Sequence, residues 1–471
     1  MFYDLDNIIL SDHTKKYDFC IIGSGAAGIT IANRLNNKYK VALVEAGGMD
    51  YTIQSQDCYK GRVIGDDYFE LDIARLRYFG GTTNHWTGYC RTFDEIDFNR
   101  DYLGDEFIWP IKKENIDPFL EEASNILEID IQKNNQKLGQ DIEEINFNFS
   151  PPVRFAQKYK KRLSESMNID LFVNANLCEL IPDEKRNITS AIFKSFGNKK
   201  LTLDSKIFIL CMGGIENSRV LLWNKEIHGL KFIDNNIPIG EYWMEHPHYT
   251  LGETILIDDI YSKRFIGISE KKQKELGIMN CVLRFEKQGI IGTKKLLNEL
   301  LCKSPKLGAW AVGLFNKNLL CGTYIRAAWE QSPIKENKIK LNFNDLDFFN
   351  IPKSDLYWQK QSFDKTTLLS TLNEVNSWIM ENNFGRIKLY DWVLTDHYPS
   401  DDEIGGYHHL GGTRMHSNKS FGVVDENLKV HGIENLYISG SSVFTTGGSC
   451  NPTLPIVQLS LRLSDYLNKL V

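Results

Sequence analysis

The sequence has no run of about 18 uncharged apolar residues, the length that a membrane-spanning helix needs, so no transmembrane segment is predicted. Basic residues are not in excess either: 55 Lys and Arg stand against 61 Asp and Glu, for a net charge of -6. Nucleic acids and anionic membranes favour basic patches, so this balance argues against both kinds of partner. Glycine and proline are not enriched and no internal repeat is visible, which is typical of an ordinary globular protein.

Paired cysteines are missing as well. The nine cysteines are odd in number, scattered along the chain and without a CxxC pair. This usage is typical of reduced thiols in a cytosolic protein and argues against a disulfide framework or a zinc site, so no metal is predicted. The N-terminal segment has no basic stretch followed by an apolar run, so we expect no signal peptide and take the cytoplasm as the default location.

The first 50 residues contain the pattern of a βαβ unit. The apolar run 17–22 leads into a glycine-rich turn at 23–28 (GSGAAG), and small and apolar residues follow at helical spacing over 26–35. The run 40–45 (KVALVE) then has the composition of a second buried strand. A strand, a tight turn and a helix in this order predict a dinucleotide-binding unit.

Each glycine of the turn has a separate physical task. Gly23 makes the tight turn, Gly25 lets the backbone approach a pyrophosphate, and Gly28 allows close packing of helix and strand. Glu45 follows at the end of the second strand, where a carboxylate can hydrogen-bond a ribose hydroxyl. This context makes the motif specific for a dinucleotide, although the motif alone does not separate FAD from NAD.

The rest of the chain suggests two domains, since 471 residues are too many for one simple core. The runs 206–210 and 435–439 have the composition of further strands of the first sheet, and 171–203 predicts a small antiparallel meander. The block 241–395 mixes strands and helices without a second fingerprint, and it is the candidate substrate domain. The predicted limits are 1–110, 151–240 and 400–471 for a discontinuous cofactor domain, and 111–150 and 241–399 for the substrate domain.

The segment 78–88 (YFGGTTNHWTG) is a glycine-initiated loop with many hydrogen-bonding groups. Its glycines allow the backbone to pass close to a flat ring. His85 has two interpretations: a hydrogen-bonded histidine beside Trp86, or a nucleophile joined covalently to a cofactor ring.

A second loop, 405–415 (GGYHHLGGTRM), carries two adjacent histidines. Neighbouring residues of an extended segment point in opposite directions, so only one of His408 and His409 is expected to face a given pocket. The chain then enters an amphipathic C-terminal helix, with Asn451 predicted as the N-cap and Pro452 at the first helical position. The N-terminus of that helix offers free N–H groups and a partial positive charge.

Together these residues resemble the glucose–methanol–choline (GMC) oxidoreductase family over most of the chain. The order and spacing of the matching motifs are specific even where a single motif is weak. The motif GGTTNHW resembles the bacterial sugar-oxidising branch in particular. The matching motifs are residues 23–28 with Glu45, Gly80-Gly81, Gly213-Gly214-Ile215-Glu216, Glu245-His246-Pro247, Glu330-Gln331, His409 before Gly412-Thr413, Val424-Asp425 and Asn451-Pro452.

The resemblance implies an α/β FAD-binding Rossmann-like domain with an inserted α+β substrate domain built on an antiparallel sheet. It also implies FAD-dependent oxidation of an alcohol CH–OH group, in a sugar, a sugar derivative or a polyol. His409 matches the family's catalytic histidine, which takes the hydroxyl proton while hydride passes to flavin N5. Asn451 matches the second catalytic position, which hydrogen-bonds the substrate oxygen. Oxygen, a quinone or another acceptor would then take the electrons.

The resemblance also bears on the cofactor contacts. In pyranose and choline oxidases a histidine at the place of His85 carries the flavin covalently, whereas other relatives hold FAD without a covalent bond, so both forms stay open. Thr87 matches a residue near the flavin N5. The predicted cofactor-binding residues are Gly23, Ser24, Gly25, Ala26, Ala27, Gly28, Glu45, Ala46, Gly80, Gly81, Thr82, Asn84, His85, Trp86, Thr87, Leu177, Gly213, Ser441, Pro452 and Thr453.

Two other functions stay open at this point. One is a lyase or isomerase of the same fold that keeps FAD without net redox chemistry, and the other is a non-catalytic flavoprotein subunit. The presence of both His409 and Asn451 favours oxidation. We interpret His408 as structural, and His246 and His248, which flank Pro247, as packing or hinge residues.

Overall fold

The computed structural model describes residues 1–7, 15–131, 135–256, 265–287, 323–400 and 405–471. The strands are β1 Phe2–Asp4, β2 Lys16–Ile22, β3 Val41–Val44, β4 Gly61–Gly65, β5 Tyr89–Cys90, β6 Gln136–Lys137, β7 Ile142–Glu144, β8 Asn148–Phe149, β9 Ile169–Val173, β10 Asn176–Pro182, β11 Ile188–Lys194, β12 Lys200–Leu210, β13 His248–Leu256, β14 Phe265–Ile268, β15 Cys281–Lys287, β16 Thr323–Trp329, β17 Lys338–Leu346, β18 Pro352–Trp358, β19 Gly385–Leu389 and β20 Leu436–Ile438. The α-helices are α1 Ala26–Leu35, α2 Ile53–Asp57, α3 Glu95–Phe98, α4 Leu120–Leu127, α5 Phe155–Ser164, α6 Gly213–His228, α7 Glu270–Leu276, α8 Ser362–Glu381 and α9 Thr453–Leu470.

The first sheet has the strand order β1-β9-β3-β2-β12-β11-β10, and β20 also pairs with β12. Strand β2 runs parallel to both β3 and β12, and β20 runs parallel to β12. The apolar runs around these strands are buried, as expected for central strands of a parallel sheet covered on both faces. The predicted grouping of 17–22, 40–45, 206–210 and 435–439 in one sheet is therefore confirmed.

The predicted meander at 171–203 is wrong in part. Strand β9 pairs in parallel with β1 and β3, so it belongs to the parallel part of the first sheet. Only β10, β11 and β12 are antiparallel, and they extend the same sheet instead of forming a separate one. Short β-rich runs separated by turns occur in parallel and in antiparallel arrangements alike. The pairing direction depends on partner strands that are distant in the sequence.

The second large sheet has the strand order β19-β13-β16-β15-β14-β7-β6, with antiparallel pairing throughout. Helix α8 packs against it, and Leu368, Leu372 and Val375 of that helix join Trp329 in a separate apolar core. The predicted α/β cofactor-binding fold with an antiparallel-sheet substrate region is confirmed. Helix α4 packs on α9 while β6 and β7 join the antiparallel sheet, so residues 111–150 contribute to both cores. The exact domain limits stay a prediction.

No helix within the described ranges is long and apolar enough to cross a membrane. The seven cysteines in these ranges have free thiols, whereas Cys302 and Cys321 lie outside the described residues. Among the described side chains, no group of three or more His, Cys, Asp or Glu residues is arranged to hold a metal ion.

His248, the first residue of β13, is expected to make the fold sensitive to acid. Burial, aided by the charges of Arg326 and Arg284, lowers its pKa from 6.5 to about 4. Above pH 6.5 the imidazole is neutral in the folded and in the unfolded chain, so it adds no pH dependence to the free energy of unfolding there. As the pH falls below that value, the unfolded chain takes up the proton and the folded chain does not, so stability is lost.

The substitution His248→Gln removes this titration. We expect the wild type to lose about 2 kcal/mol relative to the variant between pH 7 and pH 5, since one pKa unit corresponds to about 1.4 kcal/mol. Chemical denaturation of both proteins at the two pH values measures the difference. Parallel pH dependences would contradict the buried, neutral state of this histidine.

Candidate active site

The turn between β2 and α1 contains the predicted fingerprint. Gly23 has φ of +106°, and a Cβ placed on it would lie 2.4 Å from the Cys211 carbonyl oxygen, so a side chain does not fit. A Cβ on Gly28 would lie 1.9 Å from the Gly23 carbonyl oxygen, so α1 packs directly against the turn. A Cβ on Gly25 would meet no atom within 4 Å, because this residue lines an open cavity. The turn therefore presents backbone to that cavity at the start of a helix.

Glu45 is tied to the same turn. Its Oε2 accepts hydrogen bonds from Ser24 N at 3.0 Å and from Ser24 Oγ at 2.6 Å. Its Oε1 accepts from Gly47 N at 3.0 Å. The side chain is buried and lines the cavity, so the fingerprint glycines and the carboxylate predicted for a ribose form one surface.

One cavity of about 550 Å³ collects almost all of the predicted site residues. It extends from the turn at 23–27 to the loops that carry His409 and Asn451. The predicted residues that line it are Gly23, Ser24, Gly25, Ala26, Ala27, Glu45, Ala46, Gly81, Thr82, His85, Trp86, Thr87, Leu177, Gly213, His409, Ser441, Asn451, Pro452 and Thr453. Segments from both ends of the chain therefore meet in one space.

Three predicted residues do not line the cavity. Gly28 has the packing role described above. Gly80 has φ of +92°, and a Cβ placed on it would lie 2.7 Å from Ala156 Cβ. Asn84 uses its Nδ2 to donate to the Phe79 carbonyl oxygen at 2.9 Å. These residues fix the conformation of the segments whose neighbouring residues line the cavity.

The loop after Gly80 is a 3₁₀ turn over Gly81–Asn84 that lies against the fingerprint. Gly80 N donates to the Ser24 carbonyl oxygen at 3.1 Å, and the Trp86 indole donates to the Val153 carbonyl oxygen at 2.9 Å. His85 is exposed toward the cavity, and burial of part of its ring, with the charge of Arg154, lowers its pKa.

Both His408 and His409 line the cavity. The expectation that only one of the two rings faces a bound ligand stays a prediction. His408 also contacts His246 through the two Nδ1 atoms at 2.8 Å, which agrees with a structural role for its ring.

His409 is held from both sides. Ser441 Oγ donates to its carbonyl oxygen at 2.6 Å, and the rings of Trp243 and Tyr68 lie 5.7 and 6.2 Å from its ring. The residue is 6% exposed, and its Nε2 makes no hydrogen bond with any residue that the structure describes. Burial, and to a smaller extent the charge of Arg75, lowers its pKa to about 3. At neutral pH it is therefore an uncharged imidazole with a nitrogen able to accept a proton.

The predicted cap of the C-terminal helix is one residue off. Helix α9 begins at Thr453, and the Pro452 carbonyl accepts the first helical hydrogen bond, from Ile456 N at 2.9 Å. Proline keeps a helix-compatible φ of -67° at the cap position, so the helix starts one residue later than expected. Asn451 precedes the cap and lines the cavity, beside the positive end of the helix.

These observations fit FAD. A Cβ on Gly25 or Gly213 would point into free space of the cavity, which leaves room for a group that approaches the backbone closely. A buried carboxylate and a helix N-terminus match a ribose and a pyrophosphate. Toward the other end of the chain, His409 and the residues at the start of α9 line the same space.

Comparison with known proteins agrees with this arrangement. A sequence model described as GMC oxidoreductase matches residues 333–460. This match covers 128 of the 471 residues, so the C-terminal part of the chain is similar to the GMC oxidoreductases. The chain is 20% identical over 329 residues to the fructose dehydrogenase large subunit of Gluconobacter japonicus, covering 64% of this chain and 55% of that one, so it spans about half of this relative. It is 19% identical over 552 aligned positions to 2-methyl-1,2-propanediol dehydrogenase of Mycolicibacterium austroafricanum, covering 98% and 96%.

The similarity of fold extends over nearly the whole chain. A solved structure of pyridoxine 4-oxidase from Mesorbium loti superposes with a TM-score of 0.60 and 14% identity, covering 96% of this chain and 99% of that one. At this identity the likeness establishes the fold alone. The closer resemblance to the sugar-oxidising branch and the roles of the individual residues stay predictions.

The protein also has a buried ion network on the cavity wall that no sequence motif indicated. Arg75 pairs with Glu216 at 3.0 Å, Glu216 pairs with Arg219 at 3.1 Å, and Arg219 pairs with Asp347 at 2.6 Å. All four line the cavity. The spacing of Glu216 and Arg219 on one helix face was a signal in the sequence, whereas nothing local marks Asp347, which lies in the turn between β17 and β18.

Proposed function

We propose that this GMC oxidoreductase uses FAD to oxidise the CH–OH group of a sugar, sugar derivative or polyol to a carbonyl. One observation carries the proposal: a buried, uncharged His409 with an unpaired Nε2 shares a cavity with Asn451 and with the dinucleotide turn. Because the pKa of His409 lies below the ordinary pH range, the imidazole is uncharged there, which is the state that a proton acceptor needs.

The chemistry divides between the cofactor and two side chains. When bound, FAD supplies a flavin N5 that accepts the substrate's C–H hydrogen as a hydride, with both electrons of that bond. His409 takes the hydroxyl proton, which leaves a C=O bond in the product. Asn451 donates a hydrogen bond to the oxygen as negative charge develops, a contact that is worth about 3 kcal/mol in comparable sites. The rings of Trp243 and Tyr68 keep water away from one side of the base.

The substrate class is supported by the relatives and by the cavity mouth. The names of two relatives describe a fructose dehydrogenase and a diol dehydrogenase. Tyr407 lines the cavity, is 44% exposed and lies 4.3 Å from the Phe69 ring, centroid to centroid. The Tyr407 ring, supported by Phe69, offers an apolar face to a sugar ring. Oxygen, a quinone or another carrier takes the electrons, and the cytoplasmic location stays a prediction.

The proposal is tested by anaerobic mixing of the FAD-loaded protein with a panel of hexoses, sugar acids and polyols. We expect at least one of them to bleach the flavin absorbance near 450 nm. A non-catalytic subunit would give no bleaching and no product with any compound. A lyase or isomerase would convert its substrate with no net bleaching, which would contradict the proposal.

The attachment of FAD is decided by a separate measurement on His85. This residue faces the cavity, and its lowered pKa keeps the imidazole neutral and nucleophilic. After acid precipitation, flavin that stays with the protein of the wild type but not of His85→Ala would assign a covalent bond to this residue. Complete release from the wild type would assign non-covalent binding.

A further inference from the structure

Glu245 is a buried carboxylate beside the segment that carries His409. The two segments run side by side, because Met244 N donates to the Leu410 carbonyl at 2.9 Å and Leu410 N donates to the Met244 carbonyl at 3.1 Å. Glu245 is 1% exposed, and burial raises its pKa to about 6. A carboxylate in such a place has lost its hydration, so it is tolerated only with good hydrogen bonds.

One oxygen of Glu245 holds the turn that precedes the proposed base. Its Oε1 accepts from the backbone N–H of His246 at 2.8 Å and from that of His408 at 2.7 Å. A Cβ placed on Gly406 would lie 2.8 Å from the same oxygen, so this turn packs directly on the carboxylate. Tyr407, within the turn, has φ of +53°, a conformation that a bulky residue keeps only when its surroundings impose it.

The other oxygen of Glu245 holds a ring next to the base. Its Oε2 accepts a hydrogen bond from the Tyr68 hydroxyl. The Tyr68 ring contacts Trp243 at 5.7 Å and His409 at 6.2 Å, measured between ring centroids. One carboxylate therefore fixes both the backbone before the imidazole and an aromatic ring beside it.

His246, the residue after Glu245, also packs against the loop that carries Asn451. Its Nδ1 lies 2.8 Å from His408 Nδ1, so one ring donates to the other. A Cβ placed on Gly447 would lie 2.7 Å from His246 Nε2. Gly447 is four residues before Asn451. The loops that carry His409 and Asn451 therefore both contact the Glu245-His246 dipeptide.

We propose that Glu245 is a positioning residue for alcohol oxidation, which holds the His409 imidazole in the orientation that accepts the hydroxyl proton. This inference rests on the proposed function. Glu245 acts through the backbone of the 406–408 turn and through the Tyr68 ring. A displacement of a catalytic group by about 1 Å can cost about 100-fold in rate, which sets the size of the expected effect.

The test compares Glu245→Ala with Glu245→Gln, which keeps an acceptor oxygen for the two backbone N–H groups. Glu241→Ala, in the same segment, is the matched control. We expect Glu245→Ala to lower the limiting rate of flavin bleaching by about 100-fold, with little change in substrate KM. We expect Glu245→Gln to stay within about tenfold of the wild type, since it retains the hydrogen bonds of Oε1. Deuterium on the reacting carbon should lower the bleaching rate of Glu245→Ala by at least the same factor as that of the wild type.

The outcomes separate this inference from the proposed function. Bleaching of Glu245→Ala at the wild-type rate, or a Glu245→Gln variant as slow as Glu245→Ala, overturns the positioning role. A loss of FAD content and of thermal stability in proportion to the rate also overturns it, because it would show a structural role only. If Glu245→Ala does not fold, Glu245→Asp tests the same point by retracting the carboxylate. A wild type that no alcohol bleaches would overturn the proposed function itself.

Discussion

His409→Ala is expected to abolish bleaching of the flavin by substrate while FAD stays bound. The imidazole is buried, neutral and unpaired at Nε2 among the described residues, so its loss removes the proposed proton acceptor and leaves the cavity otherwise intact. General-base catalysis contributes about 10²–10⁴-fold, and we expect a loss in the upper part of this range. Anaerobic stopped-flow measurement near 450 nm at saturating substrate gives the rate. The absorbance after gel filtration gives the FAD content.

Two further variants provide rates with which the rate of His409→Ala is compared. Asn451→Ala removes one hydrogen-bond donor and is expected to lose about 100-fold, less than the loss of the base. His228→Ala is the matched control, because His228 lies at the C-terminal end of α6 and pairs with Glu179 at 3.3 Å. An unchanged rate of bleaching in His409→Ala would show that another group takes the proton.

Gly25→Val is expected to prevent FAD binding without unfolding the protein. A Cβ at this position meets no protein atom within 4 Å, so the new side chain fits the fold and projects into the cavity. The backbone at Gly25 has φ of -81°, which valine accepts without strain. The added methyl groups occupy the space that the fingerprint keeps free for a pyrophosphate, so we expect the affinity for FAD to fall by more than about 100-fold.

Titration of the apoprotein with FAD, followed by flavin fluorescence, measures this loss. The thermal midpoint of the apo variant should match that of the apo wild type. Gly28→Val is the contrasting case: its Cβ would lie 1.9 Å from the Gly23 carbonyl oxygen, so we expect this variant to lose stability even without cofactor. Normal FAD binding by Gly25→Val would place the pyrophosphate elsewhere.

Local sequence patterns predicted most of the first sheet and its glycine-rich turn. The turn at 23–28, the strands around it and the amphipathic helix α9 follow from glycine conformation and from the period of apolar residues, which act over a few neighbours. These patterns predicted the glycines and the carboxylate that line the cavity, and the family resemblance added His409 and Asn451. One error arose where a distant partner decides, because β9 joins the parallel sheet. A second error was local, because Pro452 caps α9 and the helix starts one residue late.

The tertiary structure alone decided how the chemistry is assembled. Glu45 lies more than 300 residues before His409 and Asn451, and only the folded topology places the three on one cavity. Burial sets the pKa of His409 near 3, and no local pattern encodes burial. The same holds for the carboxylates of Glu245 and Asp347, whose partners come from distant parts of the chain. Sequence determines which groups are present, but the charge state and the orientation of each group depend on neighbours that folding brings together.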